Sequence, residues 1–152
     1  MKKLFAVLMT VAILSTVSLS VFAANTTGGE ADITTSIAPT YTVTIPADVN
    51  VQFNATETAF GTIEVTASQI HPDKCIKVAL ATDNKLENSI DATKVIPYAI
   101  KDAEGADFTS ATYLTEGDKT ELSIHITADD WNAAYAGEYS DTVTFTVSYE
   151  SK

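Results

Sequence analysis

The feature that most constrains this chain is a two-residue period of large apolar side chains, repeated in short runs along its length. In a β-strand, successive side chains point to opposite faces, so this period is typical of a strand with one buried face. The clearest run is the last one, where hydroxylated side chains fill the opposite parity. Its apolar members are Tyr139, Val143, Phe145, Val147 and Tyr149.

The same alternation recurs upstream and predicts seven or eight strands in total. The clear runs are residues 41–45, 63–67, 76–80 and 122–126, and the weaker ones are 49–53 and 109–114. A further run at 96–100 contains Pro97, which favours a sheet edge or a bulge there. Turn-forming residues separate the runs, and Glu116, Gly117 and Asp118 are expected to form a hairpin loop between two strands. Helix signals are confined to residues 128–136, with Thr127 or Asp129 as the capping residue.

These elements predict an all-β protein, because no helix is long enough to cover a parallel sheet. Short, evenly spaced strands favour an immunoglobulin-like antiparallel β-sandwich, and a closed barrel is the second choice. A length of 152 residues suits one domain, and a hydrophobic content of 45% can supply its core. We expect this domain to span residues 39–152.

Residues 1–23 have the pattern of a secretory signal peptide. Lys2 and Lys3 form a basic start, an apolar centre follows, and small residues at Ala23 and Ala24 suit cleavage. The alternative is an uncleaved membrane anchor, because the apolar run approaches the ~18 to 20 residues that span a bilayer. We expect cleavage, secretion to the cell surface, and no stable membrane insertion afterwards.

Residues 24–38 are expected to be a flexible N-terminal arm or a split first strand. Ile33 and Ile37 share the parity of Tyr41, so the arm could extend the first strand and add to the open sheet of a neighbouring subunit. The favoured alternative is a first strand broken near Pro39 that packs on its own domain. Ile33 and Ile37 are thus the candidate residues of an assembly arm.

The charge pattern argues against nucleic acid as a partner. All nine basic residues are lysines, and the formal net charge is −11. Removal of residues 1–23 takes away Lys2 and Lys3 and leaves −13. Phosphate binding needs clustered basic side chains, and an acidic surface also repels anionic lipid.

Catalytic and metal-binding chemistry is not expected, and neither is a cofactor. The chain has a single cysteine, Cys75, and two separated histidines, His71 and His125. No intramolecular disulfide can form, and a structural zinc site is not supported. We therefore predict that the protein is not an enzyme, with a hydrolase that uses acidic pairs as a remote alternative.

Two groups of carboxylates could in principle bind calcium. Asp102, Glu104 and Asp107 lie in one loop, and Asp129, Asp130 and Asp141 could meet at one end of the sandwich. Neither group has the spacing of a recognised calcium loop, so solvated acidic loops are favoured.

The richest aromatic stretch contains Trp131, Tyr135 and Tyr139. Aromatic rings stack on sugars and anchor protein interfaces, so Trp131 and Tyr135 are candidate ligand residues. The simpler alternative is that Trp131 covers an open end of the core.

Residues 136–147 read Ala-Gly-Glu-Tyr-Ser-Asp-Thr-Val-Thr-Phe-Thr-Val. They resemble the terminal strand of spore coat protein U type secreted domains, of general form Gly-x-Tyr-x-Asp-x-Val-x-Val-x-Val, and similar endings occur in pilin-like bacterial proteins. The match covers about a tenth of the chain. It implies an immunoglobulin-like fold in a secreted, surface-associated subunit. The paired cysteines of Gram-negative relatives are missing here, which puts their assembly pathway in doubt.

Together these observations predict a secreted bacterial cell-surface protein with a structural or adhesive role, as a pilin-like subunit assembled by β-strand addition. Its expected partners are other surface proteins or further copies of itself in a homopolymer. The alternative is an extracellular carbohydrate-binding module that uses exposed aromatic side chains and binds glycans.

Overall fold

The computed structural model describes residues 8–12, 30 and 32–152. Within these residues the chain forms three antiparallel sheets and one short helix, which confirms the all-β prediction. The strands are β1 (Leu8–Ala12), β2 (Thr40–Thr44), β3 (Glu57–Gln69), β4 (Lys74–Ala81), β5 (Lys85–Asn88), β6 (Val95–Pro97), β7 (Ala99–Lys101), β8 (Ser110–Tyr113), β9 (Lys119–His125), β10 (Tyr139–Ser140) and β11 (Thr144–Ser151), and the helix is α1 (Ala128–Ala133).

The largest sheet has the strand order β1-β2-β3-β9-β7. A second sheet has the order β11-β4-β8, and a small third sheet has the order β10-β5-β6. Every pairing is antiparallel. The alternating runs at 63–67 and 76–80 lie within β3 and β4, those at 41–45 and 122–126 end one residue beyond β2 and β9, and those at 96–100 and 139–149 are each divided between two successive strands.

All three sheets contribute to a single hydrophobic core. Val65 of β3, Ile76 of β4 and Ile96 of β6 are each at most 1% exposed. Burial of one such side chain contributes roughly 1.5 to 3 kcal/mol, so these inward positions are the main source of stability. Cys75 of β4 is 5% exposed and behaves as a small apolar residue.

Two predicted strands are interrupted for identifiable reasons. Pro97 lacks an N–H, and it divides the run at 96–100 between β6 and β7, which lie in different sheets. The final run divides between β10 and β11 at Asp141, which accepts hydrogen bonds from the N–H of Thr142 and from the distant hydroxyls of Tyr98 and Thr82. These breaks raise the number of strands above the prediction.

The hairpin predicted at Glu116, Gly117 and Asp118 is wrong, since β8 pairs with β4 while β9 pairs with β3. The loop instead binds β3: the N–H of Gly117 donates to the carbonyl of Val65, and the N–H of Val65 donates to the carbonyl of Asp118 (2.8 and 2.9 Å). It therefore connects two sheets.

The weak strand predicted at residues 49–53 is also wrong. A turn takes its place, closed by a bond from the N–H of Ala55 to the carbonyl of Gln52, and Asn54 has a φ of 65°. The predicted strand at 109–114 is confirmed as β8. In contrast, β5 forms where the sequence predicts part of a turn. The turn was predicted because these residues follow Asp83 and Asn84 in a polar stretch.

Helix α1 follows the sequence prediction. The Thr127 side chain caps its first turn by accepting a hydrogen bond from the N–H of Asp130 (3.1 Å). The helix ends after Ala133 and positions Trp131 against the core. In the described part of the chain, no helix has both the length and the apolar character needed to cross a membrane.

The predicted signal peptide and its cleavage site lie outside the described residues, apart from Leu8–Ala12. That segment forms β1. Of the predicted arm, residues 30 and 32–38 are described, and they form no helix or strand.

Candidate functional site

The outer edge of β2 is the candidate site. β2 pairs with β3 on its inner side, with a bulge between Thr42 and Val43. On the other side, β1 is the only described strand that pairs with it, and the register places Thr10 opposite Thr42. Because β1 lies within the predicted signal peptide, removal of that peptide would leave the outer edge of β2 without a partner among the described strands.

The composition of β2 suits strand pairing. Tyr41 and Val43 point into the core and are 8% and 3% exposed, whereas the intervening threonines face outward. Natural sheet edges are protected by charged residues, prolines or bulges. β2 has no charged residue, the prolines are outside it at Pro39 and Pro46, and the extra residue of the bulge, Thr66, lies on β3.

Strand β11 borders the same side of the core as β2. The Tyr149 ring of β11 stacks on Tyr41 with centroids 5.8 Å apart, and Phe145 packs against Phe60 of β3 at 6.0 Å. The Tyr149 hydroxyl accepts a hydrogen bond from the N–H of His71 (2.9 Å). Burial raises the pKa of Tyr41, and the neighbouring Tyr149 adds to the effect.

The apolar face of β11 is less well covered than that of its partner strand. Phe145, Val147 and Tyr149 are half-buried, whereas Ile76 and Val78 of β4 are fully buried. The side of the core that lies between β2 and β11 therefore retains apolar surface, in the place where a further strand could cover it.

The predicted arm residues precede this edge. Ile33 is 99% exposed and Ile37 is 67% exposed. Neither side chain is part of the core of its own chain. They are therefore free to contact another molecule.

The predicted aromatic residues occupy different environments. Trp131 is half-buried against the core, and its indole N–H donates to the carbonyl of Ala55 (2.9 Å). Tyr135 is 63% exposed, with the Lys94 ammonium 4.8 Å from its ring centroid. Phe53 packs edge-on against Trp131 and is 76% exposed. Phe53 was not among the predicted aromatic candidates, because its sequence context predicted a strand at 49–53.

The glycine and tyrosine of the C-terminal motif have structural roles. Gly137 has a φ of +147°, and a Cβ there would lie 2.4 Å from the Nδ2 atom of Asn88, a buried side chain. The Tyr139 hydroxyl accepts from the N–H of Tyr135 and donates to its carbonyl (3.1 and 3.0 Å). The two hydrogen bonds hold the loop at Tyr135 against β10.

The aspartate of the motif connects three segments. Asp141 accepts hydrogen bonds from the hydroxyls of Tyr98 and Thr82 as well as from the N–H of Thr142. Burial and the hydrogen bond to Asp141 raise the pKa of Tyr98 well above its ordinary value. The Asp141 carboxylate therefore connects the segment between β10 and β11 to the segments that contain Tyr98 and Thr82.

The other polar candidates do not form a site. Lys101 forms an ion pair with Asp107 (3.0 Å), and the Asp102 carboxylate accepts hydrogen bonds within its own loop. His71 is exposed and bonded to Asp73, and this bond lowers the pKa of the Asp73 carboxyl. Among the described residues, no three His, Cys, Asp or Glu side chains are grouped closely enough to hold a metal ion.

No protein-family model matches the sequence, and no curated protein is significantly similar to it.

Proposed function

We propose that this protein is a secreted bacterial cell-surface component with a structural or adhesive role, which associates with other subunits by β-strand addition. The observation that carries the proposal is the pairing of β1 with the outer edge of β2. A strand fits that edge in antiparallel register, and the strand that occupies it belongs to a segment with the pattern of a cleaved leader.

The domain is proposed to be a two-sheet sandwich of immunoglobulin type. Support comes from the single core, to which the β2-containing sheet and the β4-containing sheet both contribute buried side chains. The loop at 114–118, which connects β8 to β9, passes from one of these sheets to the other. In such a sandwich, unpaired strands at the sheet edges are the natural positions for an added strand.

Export is proposed from the sequence pattern of residues 1–23. After their removal, the chain carries a formal charge of −13, while β2 itself is uncharged. Like charges repel when two acidic proteins approach. An uncharged strand at a sheet edge is a place where two subunits can meet without bringing carboxylates into direct contact.

The test uses the full chain expressed in a host that exports it, with the N-terminus of the exported protein checked by mass spectrometry. Sedimentation velocity over a range of concentrations should show association of the cleaved protein. Thr42→Lys places a charge in the middle of the edge and should abolish that association. Thr146→Lys makes the same change on the edge strand β11 and is the matched control. A cleaved protein that stays monomeric at high concentration would refute the proposal.

A carbohydrate-binding module remains the second candidate, because Phe53 and Tyr135 present exposed rings. In this case the exported protein should be retained on a glycan array, and Tyr135→Ala should weaken that retention. Trp131→Ala should act mainly by loosening the core, since its ring is half-buried. No retention of the parent protein would exclude this candidate.

A further inference from the structure

We propose that the strand added to β2 in the exported protein is β2 of a second copy, so that two subunits form a symmetric dimer. The two β2 strands would run antiparallel about a two-fold axis at Thr42. This inference rests on the proposed function, because it requires the same open edge, and it names the partner and the register.

The register of β1 provides the first argument. Counted from its start, β1 is Leu-Met-Thr-Val-Ala, and β2 is Thr-Tyr-Thr-Val-Thr. The central residue of β1, Thr10, lies opposite Thr42, the central residue of β2. If β2 of a second copy replaced β1 in this register, its Thr42 and Val43 would take the positions of Thr10 and Val11. The third and fourth residues of the added strand, threonine and valine, would then be the same as in β1.

The symmetry of β2 provides the second argument. Its sequence pattern is the same from either end, with large apolar residues at the second and fourth positions. Antiparallel pairing about Thr42 would place Tyr41 of each copy opposite Val43 of the other, and threonines opposite threonines. Aromatic and β-branched pairs and threonine pairs are favourable across antiparallel strands. An interface in which the same segment serves both partners closes as a two-fold dimer.

The arm fits the edge less well. Directly opposed residues share a face of the sheet. The added strand must therefore place two apolar residues opposite Tyr41 and Val43, and these two residues must be two positions apart in its sequence. Met9 and Val11 of β1 meet this requirement. In the arm, Ile33 and Ile37 are four positions apart, and the residue between them at that parity is Thr35.

The flanking prolines limit the pairing to a short ladder. Pro39 and Pro46 lack N–H groups, so the ladder is confined to residues 40–45, of which Thr40–Thr44 form β2 with Thr42 at its centre. Five residue pairs bury less surface than the ~1,200 to 2,000 Å² of a stable interface. The dimer should therefore be weak and concentration-dependent, and a covalent trap is the suitable assay.

The test is disulfide trapping of the exported protein with single cysteine substitutions. In the proposed dimer, two Thr42→Cys residues face each other with Cα atoms about 4.5 to 5.5 Å apart, which a disulfide can bridge. Two Thr44→Cys residues would be four positions out of register, about 13 Å apart along the strand, and cannot be bridged. The double variant Thr40→Cys/Thr44→Cys should again form the covalent dimer, because the proposed register places position 40 of each copy opposite position 44 of the other.

Two further proteins serve as controls. The wild type has only Cys75, which is buried and should not cross-link. Thr146→Cys places an exposed thiol on the edge strand β11 and measures cross-linking by random collision or by pairing of that edge. We expect Thr42→Cys to form covalent dimer at least tenfold faster than Thr44→Cys or Thr146→Cys, and deletion of residues 24–38 to leave its rate unchanged.

Each other outcome contradicts the dimer in a distinguishable way. The protein could associate while its Thr42→Cys variant cross-links no faster than Thr44→Cys. This result would overturn the symmetric register and leave the proposal of strand addition intact. Loss of association on deletion of residues 24–38 would assign the added strand to the arm. A protein that is cleaved, monomeric at every concentration and free of cross-links would overturn both this inference and the proposed function.

Discussion

The packing of Gly137 against Asn88 gives a quantitative test of the fold. A Cβ at position 137 would lie 2.4 Å from Asn88 Nδ2, closer than atoms can approach, so Gly137→Ala must displace the Asn88 side chain. Asn88 is 6% exposed, and its Oδ1 accepts hydrogen bonds from the N–H groups of Ile90 (2.9 Å) and Asp91 (3.3 Å). The substitution therefore disrupts a buried hydrogen-bonded turn.

The expected loss follows from these contacts. Two hydrogen bonds to a buried side chain contribute about 1 kcal/mol each. A side chain at the positive φ of residue 137 adds about 1 kcal/mol of backbone strain. Gly137→Ala should therefore lower the free energy of unfolding by about 3 kcal/mol. Gly105 also has a positive φ, but nothing lies within 4 Å of the point that a Cβ would occupy there, so Gly105→Ala should cost about 1 kcal/mol.

Urea denaturation of the exported variants measures both losses. The chain has a single tryptophan, half-buried Trp131, whose fluorescence should report unfolding. The comparison of Gly137→Ala with Gly105→Ala isolates the contact with Asn88 from the backbone strain that both variants share. Equal losses in the two variants, within about 0.5 kcal/mol, would refute the reasoning, because the contact would then contribute nothing.

Three further predictions concern polar and apolar contacts. Tyr98→Phe removes the hydroxyl bonded to Asp141 and should cost about 1 kcal/mol in urea denaturation. Adding Asp141→Asn should cost more, because Asp141 also accepts hydrogen bonds from Thr82 and Thr142, and equal stability of the single and double variants would contradict this. The N–H groups of Leu114 and Thr115 lower the pKa of the Asp118 carboxyl below its ordinary value. The ionised carboxylate therefore stabilises the folded protein above that ordinary pKa, and this stabilisation is lost as pH falls through the pKa of the folded state. The stability difference between wild type and Asp118→Asn should thus be constant above about pH 5 and shrink in acid; a constant difference down to pH 2 would contradict this. Ile76→Ala, at a fully buried site, should cost about 3 to 4 kcal/mol by calorimetry, and half-buried Phe145→Ala about 2; the reverse order would contradict the burial pattern.

The strands with clear alternation could be predicted because period two is a local property of the sequence. The runs around Val65, Ile76 and Ile124 became β3, β4 and β9, and the inward parity was that of the buried side chains. Thr127 was likewise a sufficient signal for the start of the helix. In these segments local pattern and tertiary packing favour the same structure.

The pairing of the strands could not be predicted from alternation. A loop with turn residues between two strands looks like a hairpin, but Gly117 and Asp118 bind the backbone of Val65 in β3, far away in the sequence. The break at Asp141 depends in the same way on Tyr98 and Thr82, which are distant in the chain. Both features are set by long-range hydrogen bonds that leave no periodic signal.

The candidate site was only partly visible in the sequence. The parity of Ile33 and Ile37 made the segment before β2 a candidate assembly arm, although packing on its own domain was the favoured alternative, and both side chains are exposed. The edge position of β2 itself depends on sheet order, which a single sequence does not specify. Phe53 was missed because its run of apolar residues was too short to distinguish a strand from an exposed turn.

The central claim is that the outer edge of β2 pairs with a strand of another molecule once the leader is removed. Amide hydrogen exchange of the exported protein, followed by NMR at low and high concentration, tests this directly. In β2, alternate N–H groups face β3 and the outer edge. We expect the outward N–H groups of Thr40–Thr44 to gain protection as concentration rises, while those of β4 stay unchanged. Outward N–H groups that exchange equally fast at every concentration would contradict the claim.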